Sequence, residues 1–300
     1  MRNIPDGSID LILCDLPYGT MKGAGLDGWK NQTTEWDNQL NIGEMFGQYE
    51  RVCRENANII LFSQEPYTST LRSFNPYNIE FAYPLIWKKD HFANPLISKK
   101  APVSYFEDLN VFYKKYDTKN MNPLRTYFQE LMNWLNFSSC KDVNRVLGHR
   151  RAEHAFYIDS TQFKLCTEKT YDEMIEKLKI NEWNGFKSFD QLYDINQKYS
   201  KTFNIPVGEK FIGNVLEFKK DYGGLHPTQK PVKLLQYLIN VYSNEGDTVL
   251  DNCIGSGTTA VAAINTKRNY IGFEMDATYC EIANKRIQDT YKIQHQTRVL

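Results

Sequence analysis

The stretch Ile9-Asp10-Leu11-Ile12-Leu13-Cys14, ending at Asp15 and Pro17, constrains the fold of this chain more than any other feature. A strand with one wetted face alternates apolar and polar residues. A nearly continuous apolar run of this length suits a strand covered on both faces, as in a parallel sheet. Such a sheet needs helices on both sides, so the chain reads as α/β. Asn58-Ile59-Ile60-Leu61-Phe62 is a second run of this kind, and helical Glu44 to Glu55 lies between the two, which gives a β-α-β rhythm. Pro66 to Ser73 reads as a short helix. Phe81 to Trp87 and Leu109 to Tyr113 read as strands, separated by a basic loop containing Lys88, Lys89, His91, Lys99 and Lys100.

The pattern then changes. From about Lys119 to Lys210 the chain is polar, aromatic and interrupted, with helix-like pieces at Leu124 to Leu135 and Tyr171 to Lys179, which marks an inserted subdomain. After Val215 the α/β rhythm returns: a helix from Pro231 to Tyr242, a strand at Thr248-Val249-Leu250, a glycine turn, a helix from Thr258, a strand at Tyr270-Ile271-Gly272-Phe273 and a helix from Ala277. A chain of 300 residues exceeds the usual single-domain size. The expected division is therefore 1–118, an insert over 119–210, and 211–300, with one sheet split around the insert.

Val249-Leu250-Asp251-Asn252-Cys253-Ile254-Gly255-Ser256-Gly257-Thr258-Thr259 joins a strand to a helix start through glycines, which lets main-chain amides approach a polar ligand. Glu274 follows Asp251 by 23 positions at the end of the next strand. That is near the roughly 20 expected of an acidic residue that grips ribose hydroxyls. A dinucleotide fingerprint would need a third glycine, but Ala260 and Val261 follow instead. The turn thus suits a nucleoside without a pyrophosphate better than NAD.

Asp15-Leu16-Pro17-Tyr18 sits where open α/β sheets place their ligands, past the carboxyl end of a buried strand. It offers a carboxylate, a rigid carbonyl and an aromatic ring, a set able to hold a planar aromatic amine. This tetrad, with Asp251 to Gly257 late in the chain, resembles the amino-methyltransferases acting on exocyclic nitrogens of DNA bases. The order is tetrad first, then insert, then His226-Pro227-Thr228-Gln229-Lys230-Pro231, then the cofactor glycines. It resembles the beta-class arrangement of that N6-adenine/N4-cytosine family.

The resemblance implies a Rossmann-like S-adenosylmethionine-dependent methyltransferase sheet with helices on both faces. It further implies a catalytic half at 1–118, a mainly helical target-recognition insert at 119–210 and a cofactor-binding half at 211–300. Asp15, Leu16, Pro17 and Tyr18 would be catalytic, with Asp15 and the Leu16 carbonyl accepting from the target amine and Tyr18 stacking on a flipped base. Asp251, Cys253, Gly255, Gly257, Thr258 and Glu274 would hold S-adenosyl-L-methionine, with His226 and Lys230 near its carboxylate. Double-stranded DNA would be the partner, in a restriction-modification setting. An aspartate leading the tetrad points to adenine N6, since serine commonly leads it in cytosine N4 enzymes. A non-catalytic DNA-binding relic of the family is the third reading. Leu16 stands where the family usually has a first proline, and Asn252-Cys253 where it has Pro-Phe. Family members also carry a strand and a Gly-Asp-Cys-like segment ahead of the stretch resembling Ile4 to Asp10, and their lack here leads to two alternative expectations, weaker cofactor binding or a mis-assigned start.

Chemistry excludes several rivals. Methylation at cytosine C5 needs a thiolate that adds to the ring, but Tyr18, not cysteine, follows Pro17. The six cysteines never adopt zinc-ribbon or redox spacing, so no metal and a reducing, cytoplasmic setting are expected. No stretch reaches the apolar length of a membrane span. Lys+Arg and Asp+Glu both number 36, so any DNA contact must come from local patches. Candidates are Trp87, Lys88, Lys89, His91 and Phe92, and the segment Val143 to Arg151 followed by Thr167 to Tyr171, which has a helix-turn-helix flavour.

Overall fold

The computed structural model describes residues 1–19, 37–93, 98–115, 122–221 and 229–297. They form two compact units, one of Met1–Cys53, Ala57–Lys114 and Thr202–Leu300, the other of Arg54–Asn56 and Lys115–Lys201. Residues 202–210, placed in the insert by the sequence reading, group with the first unit.

In the first unit, β1 (Ile9–Asp15) pairs in parallel with β2 (Cys53–Ser63) on one side and β6 (Thr248–Asp251) on the other. Next to β6 lies β7 (Asn269–Gly272), also parallel. Beyond β2, the hairpin of β3 (Ile79–Ala93) and β4 (Ser104–Lys114) is antiparallel, and the short β5 (Val215–Glu217) pairs in parallel with β3. The seven strands run β5-β3-β4-β2-β1-β6-β7.

The central strands are apolar on both faces because each face meets helices. Ile12 and Cys14 of β1 pack with Ile59 and Leu61 of β2 and with Met45, Phe46 and Tyr49 of α1 (Ile42–Val52) and Leu71 of α2 (Tyr67–Ser73). Leu11, Leu13, Ile60 and Phe62 face the other way, onto Leu234, Leu235 and Leu238 of α7 (Val232–Tyr242) and Ala262 of α8 (Thr258–Asn265). Fully burying one such side chain is worth about 1.5–3 kcal/mol. No described helix is long and apolar enough to cross a membrane.

The β3–β4 hairpin departs from the sequence reading. Lys88 to His91, expected in a loop, continue β3, with Lys88 opposite Phe106. A charged stretch has weak strand propensity, but an antiparallel partner satisfies its main-chain groups, and that tertiary pairing prevails.

The second unit is helical: α3 (Pro123–Trp134), α4 (Cys140–Leu147), α5 (Glu168–Leu178) and α6 (Phe189–Tyr199). Leu124, Phe128, Leu131, Val143, Tyr171, Met174 and Leu192 form its core. Arg125 is fully buried there. It donates to Glu55 at 2.6 Å and to the carbonyls of Ile158 and Ser160, and stacks over Phe163. The helix-turn-helix flavour does not persist: α4 ends at Gly148 in the left-handed region, but α5 starts only after Thr167. A helix-turn-helix allows a turn of about 3–4 residues. The basic cluster in between is paired, Arg150 with Glu153 at 2.8 Å, and His149 and Arg151 both with Glu173, at 2.6 and 2.9 Å.

Candidate active site

β1 and β6 are neighbours, and from them the chain proceeds in opposite directions across the sheet, to β2 on one side and β7 on the other. Ligands of open α/β sheets bind in the crevice outside the carboxyl ends at such a switch point. Asp15 ends β1 and Asp251 ends β6, so both sequence motifs open onto this crevice.

The hydroxyl of Tyr18 donates to Asp15 Oδ1 at 2.7 Å, and Lys230 Nζ donates to Asp15 Oδ2 at 2.5 Å. Leu16 is buried and anchors the turn in the core, while Pro17 and Tyr18 are half-buried. Lys230 Nζ also lies 3.1 Å from Glu107 Oε2, over the rings of Tyr18 and Phe62. The other oxygen of Glu107 meets Lys89 Nζ at 2.5 Å, and Lys89 rests on the ring of Trp87. Two carboxylates and two ammonium groups thus form one alternating cluster with no net charge.

Burial pushes the Asp15 carboxyl above the usual carboxylate range; Lys230 pulls it down and Glu107 pushes it up. Burial also works against ionised Glu107, but Lys230 and Lys89 outweigh it and hold this group below its usual range. For Lys230 burial opposes the charge, while Asp15 and Glu107 prevail and keep it firmly protonated. The arrangement is a fixed acceptor carboxylate beside an aromatic ring, held by a buried cation.

The glycine turn is built around Asp251, which is 3% exposed. Its oxygens accept from Thr259 Oγ1 at 2.5 Å and the Cys253 amide at 3.0 Å, so it latches the turn. Gly257 has φ 83°, and a Cβ there would come 3.0 Å from the Cα of Ala283 in α9 (Ala277–Thr297). Only glycine meets both conditions. Glu274 accepts from the Gly255 amide at 2.8 Å and from the Met275 and Asp276 amides at 2.9 Å. A carboxylate has about four acceptor sites, so a diol can still bind to one held in this way. This donor and acceptor set fits the nucleoside part of a cofactor.

The structure brings together Asp15, Leu16, Pro17 and Tyr18, and separately Asp251, Cys253, Gly255, Gly257, Thr258 and Glu274. Lys230, expected beside a cofactor carboxylate, instead has its ammonium on Asp15 and Glu107. Its neighbour Gln229 accepts from Ser256 Oγ at 3.2 Å. His226 lies outside the described residues. Trp87 and Lys89, candidates for flanking a base, are buried at 2% and 8% exposure and belong to the interior; Phe92 is exposed and packs on Tyr105.

Sequence reasoning missed Glu107 and Arg286. Glu107 was legible: it lies in phase with Leu109 and Val111, which face the core, so a carboxylate occupies an inward position. Arg286 donates to the Ser256 carbonyl at 2.7 Å, Ser256 Oγ at 2.9 Å and Thr258 Oγ1 at 3.1 Å, and had no local signal in α9.

Among curated proteins, the chain is 41% identical over 76 residues to the Type II methyltransferase M2.DpnII of Streptococcus pneumoniae, which is 25% of this chain and 28% of that protein. It is 40% identical over 84 residues to the DNA adenine methyltransferase YhdJ of Escherichia coli, 26% of this chain and 29% of that protein. The matched segments span less than a third of either relative. Among solved structures, the M1.HpyAVI-SAM complex shares the fold with TM-score 0.53 at 19% identity, covering 95% of this chain and 90% of that one. The family model described as DNA methylase, N6_N4_Mtase, matches residues 9–285, nearly the whole sheet and both motifs, and the chain accordingly belongs to the N6/N4 DNA methylase family.

Proposed function

We propose that this chain transfers a methyl group from S-adenosyl-L-methionine to adenine N6 in DNA. The observation that carries the reading is the Asp15 carboxylate, fixed by Tyr18 and Lys230 at the end of β1, beside the strand that leads into the glycine turn. Its double-stranded DNA substrate, restriction-modification setting and cytoplasmic location form part of the same reading.

An adenine amino group is a poor nucleophile because its lone pair is delocalised into the ring. Asp15 and the Leu16 carbonyl accept hydrogen bonds from this amine, which localises the lone pair and orients it. Tyr18, held by its hydroxyl, presents a ring to a base flipped out of the helix. Glu274 would hold the ribose hydroxyls, and the amides of the turn, braced by Asp251 and Arg286, would line the nucleoside. When bound, S-adenosylmethionine supplies an electrophilic methyl group. The aspartate at the head of the tetrad supports adenine over cytosine, the other amine in the family's range.

The test is methyl transfer from labelled S-adenosylmethionine to unmethylated genomic DNA by the native chain and by Asp15→Ala, with the product nucleoside identified by mass. N6-methyladenine that disappears in the variant is the expected result. N4-methylcytosine would reassign the target, and cofactor binding without transfer would identify a DNA-binding relic.

A further inference from the structure

Each oxygen of the acceptor carboxylate of the proposed reaction already takes one donor. Oδ1 of Asp15 takes the Tyr18 hydroxyl, and Oδ2 takes the Lys230 ammonium at 2.5 Å, a short charge-assisted bond. Each oxygen has room for a second donor, but Oδ2 accepts weakly while it holds an ammonium at 2.5 Å, and a neutral aromatic amine is too weak a donor to displace that ammonium unaided. Nor can Lys230 retreat into water, since its side chain is 5% exposed, and a buried cation without a partner is costly.

Glu107 removes the difficulty. Its Oε1 is tied to Lys89, while Oε2, buried and 3.1 Å from Lys230 Nζ, makes no hydrogen bond among the described residues. At that distance the contact is coulombic without hydrogen-bond alignment, and a small displacement of Nζ would complete the bond. We propose that Glu107 is a positioning residue that shares Lys230 with Asp15 and so keeps Asp15 Oδ2 open to an incoming acceptor amine. The inference rests on the methyl-transfer reading above. It goes beyond it in assigning Glu107, on a different strand from the tetrad, to control of the tetrad's acceptor.

The groups facing Asp15 come from several elements. They are Tyr18 after β1, Glu107 on β4, Lys230 ahead of α7 and Asp251 on β6. Lys89 on β3 and Lys220 act on Lys230 and Glu107. Of these, Glu107 is the one whose removal both withdraws a negative charge and takes from Lys230 the carboxylate it shares with Asp15.

The test uses the full chain carrying aspartate labelled with carbon-13 at the carboxyl, the Asp15 signal being identified by its loss in Asp15→Asn. In Glu107→Gln the Asp15 titration midpoint is expected to fall by about one pH unit, the scale of one altered close charge. It should rise in Lys230→Met and stay near the native value in Glu107→Asp. Because Glu107→Gln strands the Lys89 charge, Glu107→Gln/Lys89→Gln is measured alongside and should also fall. An Asp15 midpoint unmoved in both glutamine variants overturns the sharing. In the transfer assay Glu107→Gln should lose about tenfold in kcat with KM for S-adenosylmethionine within about threefold, recovered in Glu107→Asp. A lowered midpoint with unchanged kcat overturns the opening role. A native chain that titrates as stated but transfers no methyl group upholds the sharing and defeats the methyl-transfer reading instead.

Discussion

Tyr18 donates its hydroxyl to Asp15 Oδ1 at 2.7 Å across the two-residue turn Leu16-Pro17, so one hydrogen bond orients both the acceptor carboxylate and the aromatic ring. Burial pushes Asp15 up, and this bond is among the contacts that pull it back. Tyr18→Phe keeps the ring and removes the bond. A hydrogen bond to a charged group is worth about 1.5–3 kcal/mol, so kcat/KM should fall at least about tenfold. The acidic limb of its pH profile should move to higher pH, because Asp15 loses a donor to its ionised form. A Tyr18→Phe profile that overlays the native one would show that the hydroxyl does not set Asp15.

Asp251 gives the chain a pH-dependent weakness. Burial pushes its carboxyl up to about 6. A folded-state pKa above the unfolded value means that the folded protein holds the proton more tightly. The stability from this source is full below about pH 4 and is lost as pH rises through about 6. Asp251→Asn removes this titration while its amide can still accept from Cys253 and turn a donor to Thr259. In urea titrations, native stability relative to Asp251→Asn should therefore fall by up to about 3 kcal/mol between pH 4 and pH 7.5. A constant difference across that range would refute the assignment.

In the helical unit, Arg125 and Glu55 form a buried pair at 2.6 Å, with side-chain exposures of 1% and 7%. Breaking such a pair costs about 3–5 kcal/mol because the remaining charge stays buried, whereas replacing both partners costs far less. Glu55→Gln and Arg125→Met should each lower the denaturation midpoint strongly. The double variant should be more stable than Arg125→Met combined additively with Glu55→Gln, as a double-mutant cycle will measure. Additive losses would mean that Arg125 is held by the Ile158 and Ser160 carbonyls rather than by Glu55.

What the sequence disclosed depended on how local the signal was. β1, β2 and the strand into the glycine turn were legible because burial on both faces leaves an unbroken apolar run, and the tetrad and Asp251 to Glu274 because they follow such strands contiguously. The extension of β3 through Lys88 to His91 was not, since its cause is pairing with β4. The same holds for the destination of Lys230: a hexapeptide before a helix reveals a loop, but not that its lysine meets a carboxylate 215 positions earlier.

Arg286 is the clearest case of a long-range support. From α9 it makes three hydrogen bonds to Ser256 and Thr258, and so ties the last residues of the glycine turn and the first of α8 to a helix that also crowds Gly257 through Ala283. All three contacts are made by one guanidinium nitrogen, Nη1, which has two hydrogens, so two of the acceptors share one of them, whereas a lysine ammonium carries three donors. Arg286→Lys should therefore recover part of what Arg286→Met loses. Arg286→Met should bind S-adenosylmethionine about tenfold more weakly by calorimetry, the scale of support residues behind a ligand site, while the Asp15 titration stays at its native midpoint. Native affinity in Arg286→Met would show that the turn keeps its shape on the latch of Asp251 to Thr259 and Cys253 alone.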